Sequence, residues 1–302
     1  MTGTIPGPTM TPAAQPTIAQ LPLIRAHEPE RIAATLAARR PGRRPRSGER
    51  LMIIAADHPA RGSLGAGPDA MAMADRTDLL GRCLEALSRP GVDGFLGTAD
   101  LIEDLALLGA LEGKLVFGSM NRGGLPGAVF EADDRFTGYD ASGIATAGLD
   151  GGKMLLRIAP DNPGTMHTIA ACSGAVNDLA ERGLTAMVEP FWSYTEHGRL
   201  RNDLTPDAVI RSIAVAAGLG RTSAHTWLKL PAVPEPERVM AATTLPSLVL
   251  GGEVSEDPDA ALATWEATLA CPNVLGLVVG RSLLYPPDGD VAAAVDAAVG
   301  LL

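Results

Sequence analysis

Eight short apolar runs, separated by eight longer amphipathic segments, fill residues 51–301 and predict an α/β fold, a (β/α)8 barrel. The runs are continuously apolar, as strands buried on both faces require. Length agrees: a barrel takes about 250 residues, and the chain has 302. The alternative is an open doubly wound sheet, which the lack of a GxGxxG after the first run disfavours.

Residues 1–15 are polar and Pro-rich and read as a disordered tail. Residues 16–50 form an N-terminal extension. Within it, PERIAATLAARR (29–40) predicts a helix with Pro29 near its first turn, and RRPGRRPR (39–46) is a Pro-broken basic linker. The linker reads either as an anion or partner site or as a solvated arm packed over one end of the barrel. The barrel domain is expected at 51–302. Its predicted strands are LMIIAAD (51–57), VDGFLG (92–97), KLVFGS (114–119), KMLLRIAP (153–160), LTAMVEP (184–190), HTWLKLP (225–231), LPSLVLGG (245–252) and VLGLVVG (274–280). Helix-like patterns occupy 69–89, 99–112, 140–148, 163–182, 205–220, 235–242, 257–270 and 289–301. The long segment 119–139 after the third strand belongs at the barrel's C-terminal face, where active sites are built.

Composition narrows the function. The apolar fraction is 46% and mean hydropathy is +0.13, which excludes a wholly disordered chain. A net charge of −10 repels nucleic acid and anionic membranes, so neither is an expected partner. No apolar stretch approaches the ~18–20 residues of a membrane span. The start has neither a basic region nor an apolar core of a secretory signal, so a cytoplasmic location is expected. Cys83, Cys172 and Cys271 are odd in number and far apart, and read as reduced, buried thiols.

Only three of the 25 basic residues are lysines: Lys114, Lys153 and Lys229. Arginine serves wherever a generic positive charge suffices. A lysine kept inside an apolar strand therefore suggests chemistry arginine cannot do, because lysine can lose its proton and act as a nucleophile. Lys229 lies among Trp227, Leu228 and Leu230, where burial favours the neutral amine. The bland alternative is a strand-end lysine paired with a carboxylate. Period-two spacing puts Lys153, Leu155 and Arg157 on one face of the fourth strand, and a second cation near Lys229 would lower its pKa further. Glu189 ends the fifth strand, where it can shuttle protons or form a structural salt bridge. Asp57 ends the first, where it can orient a substrate hydroxyl, neutralise Lys153 or merely shape the turn.

Gly251-Gly252 and Gly280-Arg281-Ser282 end strands seven and eight, the usual place of a barrel's phosphate site. Two ordinary turns are the alternative. His27, His58, His167, His197 and His225 show no HxH, HxxxH or HExxH spacing, so a metal is not expected. His58 and His225 sit at strand boundaries as polar neighbours of a site or structural histidines. Trp192 and Tyr194 are candidates for the pocket mouth.

AADHPARGSLG, GGKMLLRIAPDNP, MVEPF, WLKLP, LGGEVS and VVGRSLLYP together resemble the class I aldolases of the tagatose-bisphosphate, archaeal fructose-bisphosphate and deoxyribose-phosphate superfamily, over about residues 50–286. That resemblance implies that Lys229 is the Schiff-base lysine, Lys153 and Glu189 the acid–base pair, and Asp57 the strand-one aspartate. LMIIAADHPARG and the arginine-rich segment before it look like an actinobacterial group of aldolase-like barrels associated with inositol catabolism. That implies 6-phospho-5-dehydro-2-deoxy-D-gluconate as substrate, cleaved to dihydroxyacetone phosphate and malonate semialdehyde. The sequence has DHPARG where the sugar-bisphosphate enzymes have a tighter DxRG.

The expectation is a retro-aldol lyase with no cofactor beyond a covalent Schiff base and with a small sugar phosphate as ligand. Gly251, Gly252, Gly280 and Arg281 would hold the phosphate. Arg61, Arg122 and Arg157 are the candidates for a second anionic group. A homo-oligomer is left open. The alternatives are a deoxyribose-phosphate or fructose/tagatose-bisphosphate aldolase, a metal-dependent enzyme on the same fold, and a non-catalytic sugar-phosphate-binding protein.

Overall fold

The computed structural model describes residues 15–121, 124–255 and 257–302. Helices α1 (Leu21–His27) and α2 (Glu30–Ala38) come first. Strand β1 (Leu51–Ala55) leads to α3 (Arg76–Ser88), β2 (Gly94–Gly97) to α4 (Ala99–Leu107), β3 (Leu115–Ser119) to α5 (Ala141–Thr146), and β4 (Gly151–Ile158) to α6 (Gly164–Glu181). Strand β5 (Thr185–Glu196) turns back into β6 (Arg199–Asp203) before α7 (Pro206–Ala217). Then come β7 (Thr226–Pro231), α8 (Pro236–Met240), β8 (Ser247–Leu250), α9 (Pro258–Leu269), β9 (Val274–Val279), α10 (Arg281–Leu284) and α11 (Val291–Val299).

Eight of these strands are parallel neighbours in the order β1-β2-β3-β4-β5-β7-β8-β9, and β9 pairs with β1. The sheet is thereby closed: the chain is a (β/α)8 barrel with an N-terminal helical, arginine-rich extension. Alternation sorts each strand's side chains. Leu51, Ile53, Leu96, Leu115, Phe117, Met187, Leu248 and Val278 pack inside the barrel. Their sequence neighbours Met52, Ile54, Phe95, Val116, Val188, Val249 and Leu277 pack outward against the helices. Helix starts follow local chemistry. Asp75, Asp257 and Asp290 accept backbone N–H bonds at the heads of α3, α9 and α11. Thr205 does the same for α7, with Pro206 in its first turn.

The arginine-rich linker covers the N-terminal end of the barrel. The Arg39 guanidinium, buried, donates to the carbonyls of Lys114 at 2.7 Å and Gly148 at 2.6 Å. Gly42 N–H donates to the Lys114 carbonyl, and Arg44 to that of Gly183. Of the two readings of this segment, the packed arm describes its contacts.

Two elements differ from expectation. The fifth strand runs on past Pro190 into a β5–β6 hairpin, closed by His197 (φ 49°) and Gly198 (φ 73°). Helix α1 was hidden by Pro22, which sits harmlessly in its first turn. The expected tail falls, apart from Gln15, outside the described residues. Among the described residues no helix is long and apolar enough to cross a membrane.

Candidate active site

At the C-terminal end of the barrel the inward positions become polar. Lys153 and Leu155 follow the inward alternation of β4, Met187 and Glu189 that of β5, and Trp227 and Lys229 that of β7. Glu189 stands between the two amines. Its Oε1 lies 2.6 Å from Lys229 Nζ and its Oε2 lies 2.6 Å from Lys153 Nζ. Lys153 Nζ also donates to Asp57 Oδ2 at 2.9 Å. Ser119, on β3, donates to the Asn121 carbonyl and lies 3.4 Å from Asp57 Oδ2. All four ionisable groups are buried, yet all four line one cavity of about 350 Å³.

Each lysine sees a different balance. Burial lowers the pKa of both. For Lys229 burial prevails: Glu189 pulls the amine up, Lys153 repels its proton, and the net result lies below the ordinary lysine value. For Lys153 the two carboxylates prevail over burial, and its pKa rises. Burial pushes Asp57 up, but Lys153, His58 and Lys229 outweigh it and hold the carboxyl well below the usual range. Glu189 likewise falls to about 2 against the push of burial, through Lys153 and Lys229. The site therefore holds one amine that binds its proton less tightly than an ordinary lysine, one held as ammonium, and two ionised carboxylates. Neighbouring groups with separated proton affinities are the usual basis of acid–base division of labour.

Around this quartet the cavity is lined by Gly251, Gly252, Gly280, Arg281, His58 and Arg61. Gly252 has φ +71°, which a side chain would strain. A Cβ on Gly280 would stand 2.4 Å from the Ala55 carbonyl, so β9 can close against β1 only without one. Among the described residues the Nε atoms of Arg61 and Arg281, both buried, have no hydrogen-bond partner. Both guanidiniums thus retain donor capacity at the cavity. His58 is pushed down to about 3 by burial and by Arg281, Arg61 and Lys229, against the pull of Asp57. It stays neutral at ordinary pH.

Arg157 does not join them. It pairs with Glu131 of the long β3–α5 segment at 2.6 Å and is absent from the cavity lining. The expectation that it lies with Lys153 in one inward row holds for the strand but not for its guanidinium. Arg122 lies outside the described residues. His225 immediately precedes β7, at the opposite end of the barrel. Trp192 lies beneath the Arg211 guanidinium and Tyr194 is exposed; the pocket wall is built by Phe191 instead. Cys83, Cys172 and Cys271 are free and buried.

Among the lining residues that sequence reasoning missed are Asn202 from the hairpin, Leu204 just after it, Glu253 after β8, and Ala261, Thr264 and Trp265 on α9. The one available signal was His197-Gly198 between two β-like stretches, a weak form of the two-residue hairpin turn.

Comparison with known proteins agrees with this architecture. Cgl0159 from Corynebacterium glutamicum is 52% identical, with 98% of each chain covered and a TM-score of 0.91. An archaeal fructose 1,6-bisphosphate aldolase is 17% identical over 89% of this chain and 98% of its own, with a TM-score of 0.62. The fructose-bisphosphate aldolase from Slackia heliotrinireducens is 15% identical over 97% and 95%, with a TM-score of 0.60. These two share the fold. No curated protein matches the chain. The sequence profile of the Cgl0159-like family matches residues 49–299, nearly the whole barrel, and with the Corynebacterium structure this makes the chain a member of the Cgl0159-like family.

Proposed function

We propose that the chain is a class I aldolase, a carbon–carbon lyase that cleaves a phosphorylated keto-sugar or keto-acid through a Schiff base on Lys229. One observation carries this reading. Two buried lysines with opposite pKa directions share the Glu189 carboxylate in a cavity that admits a ligand.

The neutral Lys229 amine attacks the ketone carbon and gives a carbinolamine. Its hydroxyl leaves as water, with the proton relayed from the Lys153 ammonium and Glu189, and an iminium forms. Glu189 takes the proton of the β-hydroxyl. The bonding pair of the adjacent carbon–carbon bond moves into the iminium, releasing an aldehyde and leaving an enamine. Glu189 returns the proton to the enamine carbon, and water then frees the ketone product and Lys229. Asp57 favours the ammonium form of Lys153, which recovers its proton through Glu189 when water adds to the product iminium. The iminium withdraws electrons as a Lewis acid would, so no step calls for a metal.

Gly251, Gly252, Gly280 and Arg281 bind the phosphate in this scheme, and Arg61 meets the second anionic group. Arg157 is engaged by Glu131 and supports the long loop instead. The substrate we favour is 6-phospho-5-dehydro-2-deoxy-D-gluconate, giving dihydroxyacetone phosphate and malonate semialdehyde. A sugar bisphosphate would use the same two guanidiniums. The fructose-bisphosphate aldolases among the structural neighbours make it the second reading.

Turnover of a panel decides between them: the favoured substrate, fructose and tagatose bisphosphates, and deoxyribose 5-phosphate. We expect the highest kcat/KM with the first. A higher value for a bisphosphate would replace the substrate and keep the chemistry. Binding of all four without cleavage of any would make the chain a sugar-phosphate-binding protein.

A further inference from the structure

Among the described residues, two arginine–glutamate pairs at the C-terminal end of the barrel have a buried arginine, and they differ on the carboxylate side. Arg157 and Glu131 are 2.6 Å apart, with side chains 7% and 10% exposed. Glu131 also accepts the Gly127 N–H at 3.0 Å. Arg281 and Glu253 are 3.0 Å apart, but their side chains are 9% and 83% exposed. Only the second pair lines the cavity that holds Lys229.

This asymmetry has a chemical consequence. Both partners of the Arg157–Glu131 pair are buried, so breaking it leaves neither charge in water. Removing Glu253 from Arg281 strands only one, because the glutamate is already in water. An ion pair with an exposed partner is weak, so another anion can take its place. The guanidinium itself is buried, and its Nε has no hydrogen-bond partner among the described residues. The Glu253 backbone is held as well, since Ser282 Oγ lies 3.3 Å from its carbonyl oxygen. The side chain alone needs to swing outward.

We infer that Glu253 is a positioning residue: an exchangeable carboxylate that holds Arg281 while the cavity is empty and yields it to the substrate's phosphate. The inference rests on the proposed function for the identity of the incoming group. Glu253 then acts as a built-in competitor that weakens phosphate binding without touching the reacting carbons. The Glu253 carboxylate repels a phosphate arriving at the same guanidinium, so neutralising Glu253 strengthens the site.

The test is calorimetric titration of the full chain with inorganic phosphate, comparing wild type, Glu253→Gln, Glu253→Asp and Arg281→Met. Glu253→Gln should lower the phosphate Kd about two- to fivefold, while Glu253→Asp, which keeps the charge, stays nearer wild type. With a cleavable substrate, KM should fall and kcat hold. Unchanged or weaker phosphate binding in Glu253→Gln would mean that the carboxylate does not compete with the ligand for Arg281, which overturns the inference. Phosphate binding that survives intact in Arg281→Met, or is undetectable in wild type, also overturns it. Neither result depends on a Schiff base, so failure of the aldolase chemistry and failure of this inference are separable.

Discussion

Lys229 Nζ and Glu189 Oε1 meet at 2.6 Å inside the barrel, with side chains only 5% and 9% exposed. That contact would ordinarily fix a lysine as ammonium. Here the carboxylate is shared, because its other oxygen serves Lys153, which Asp57 also holds. One amine has a share of one carboxylate and the other has nearly two. The division of charge, rather than burial alone, separates them.

The pH dependence follows from that division. The nucleophile is the unprotonated amine, so Schiff-base formation rises as pH climbs through the Lys229 pKa, which lies below the ordinary lysine value of 10.5. Lys153→Met removes a repelling cation and leaves Glu189 to Lys229 alone. Both changes favour the Lys229 ammonium, so the rising limb moves to higher pH. Lys153→Arg keeps the charge and moves it less. The pH profile of reductive trapping measures this; a limb displaced to lower pH in Lys153→Met contradicts the electrostatic account.

Glu189→Gln removes the proton relay while keeping the side chain's shape. We expect kcat to fall on the order of 100- to 10,000-fold, the usual contribution of a positioned acid–base group. Affinity for inorganic phosphate should change little, because the anion-binding groups are on other strands. Steady-state kinetics and a phosphate titration report the two effects separately. A small change in kcat would move the proton transfers to another residue.

Arg61→Ala should discriminate between ligands by their number of anionic groups. KM for a substrate with two such groups should rise about tenfold or more, as expected for loss of charge-assisted hydrogen bonds. Reductive trapping of dihydroxyacetone phosphate, which carries only one, should be unaffected. Equal impairment of both would place Arg61 on the phosphate instead.

Arg39→Ala probes the other end of the barrel. It removes a buried guanidinium and its hydrogen bonds to the carbonyls of Gly148 and Lys114, of which the second keeps the Gly42 N–H. A loss of about 2 kcal/mol in unfolding free energy is expected, with kinetic constants unchanged, since the N-terminal face of a barrel serves stability. Denaturant unfolding alongside an activity assay checks both halves.

The eight barrel strands and the meeting of Asp57, Lys153, Glu189 and Lys229 were legible in the sequence for one physical reason. Parallel strands buried on both faces must be continuously apolar, so a charged residue at the end of such a run stands out, and barrel closure brings those ends together. What the sequence hid was set by pairing between loops. Arg157 looks like an inward cation until Glu131, 26 residues earlier, is found to hold it. Glu253 has no periodic context that would mark it as the partner of Arg281. The β5–β6 hairpin carries charged and polar residues on an exposed edge, so no apolar alternation announced it. Strand ends are written in local pattern; loop partners are not.

The most direct measurement is reduction with sodium borohydride in the presence of dihydroxyacetone phosphate, followed by peptide mass mapping. A stable adduct on the peptide that contains Lys229, absent in Lys229→Met, is the predicted result. An adduct on the Lys153 peptide, or no adduct in a folded protein that still binds phosphate, would contradict the account.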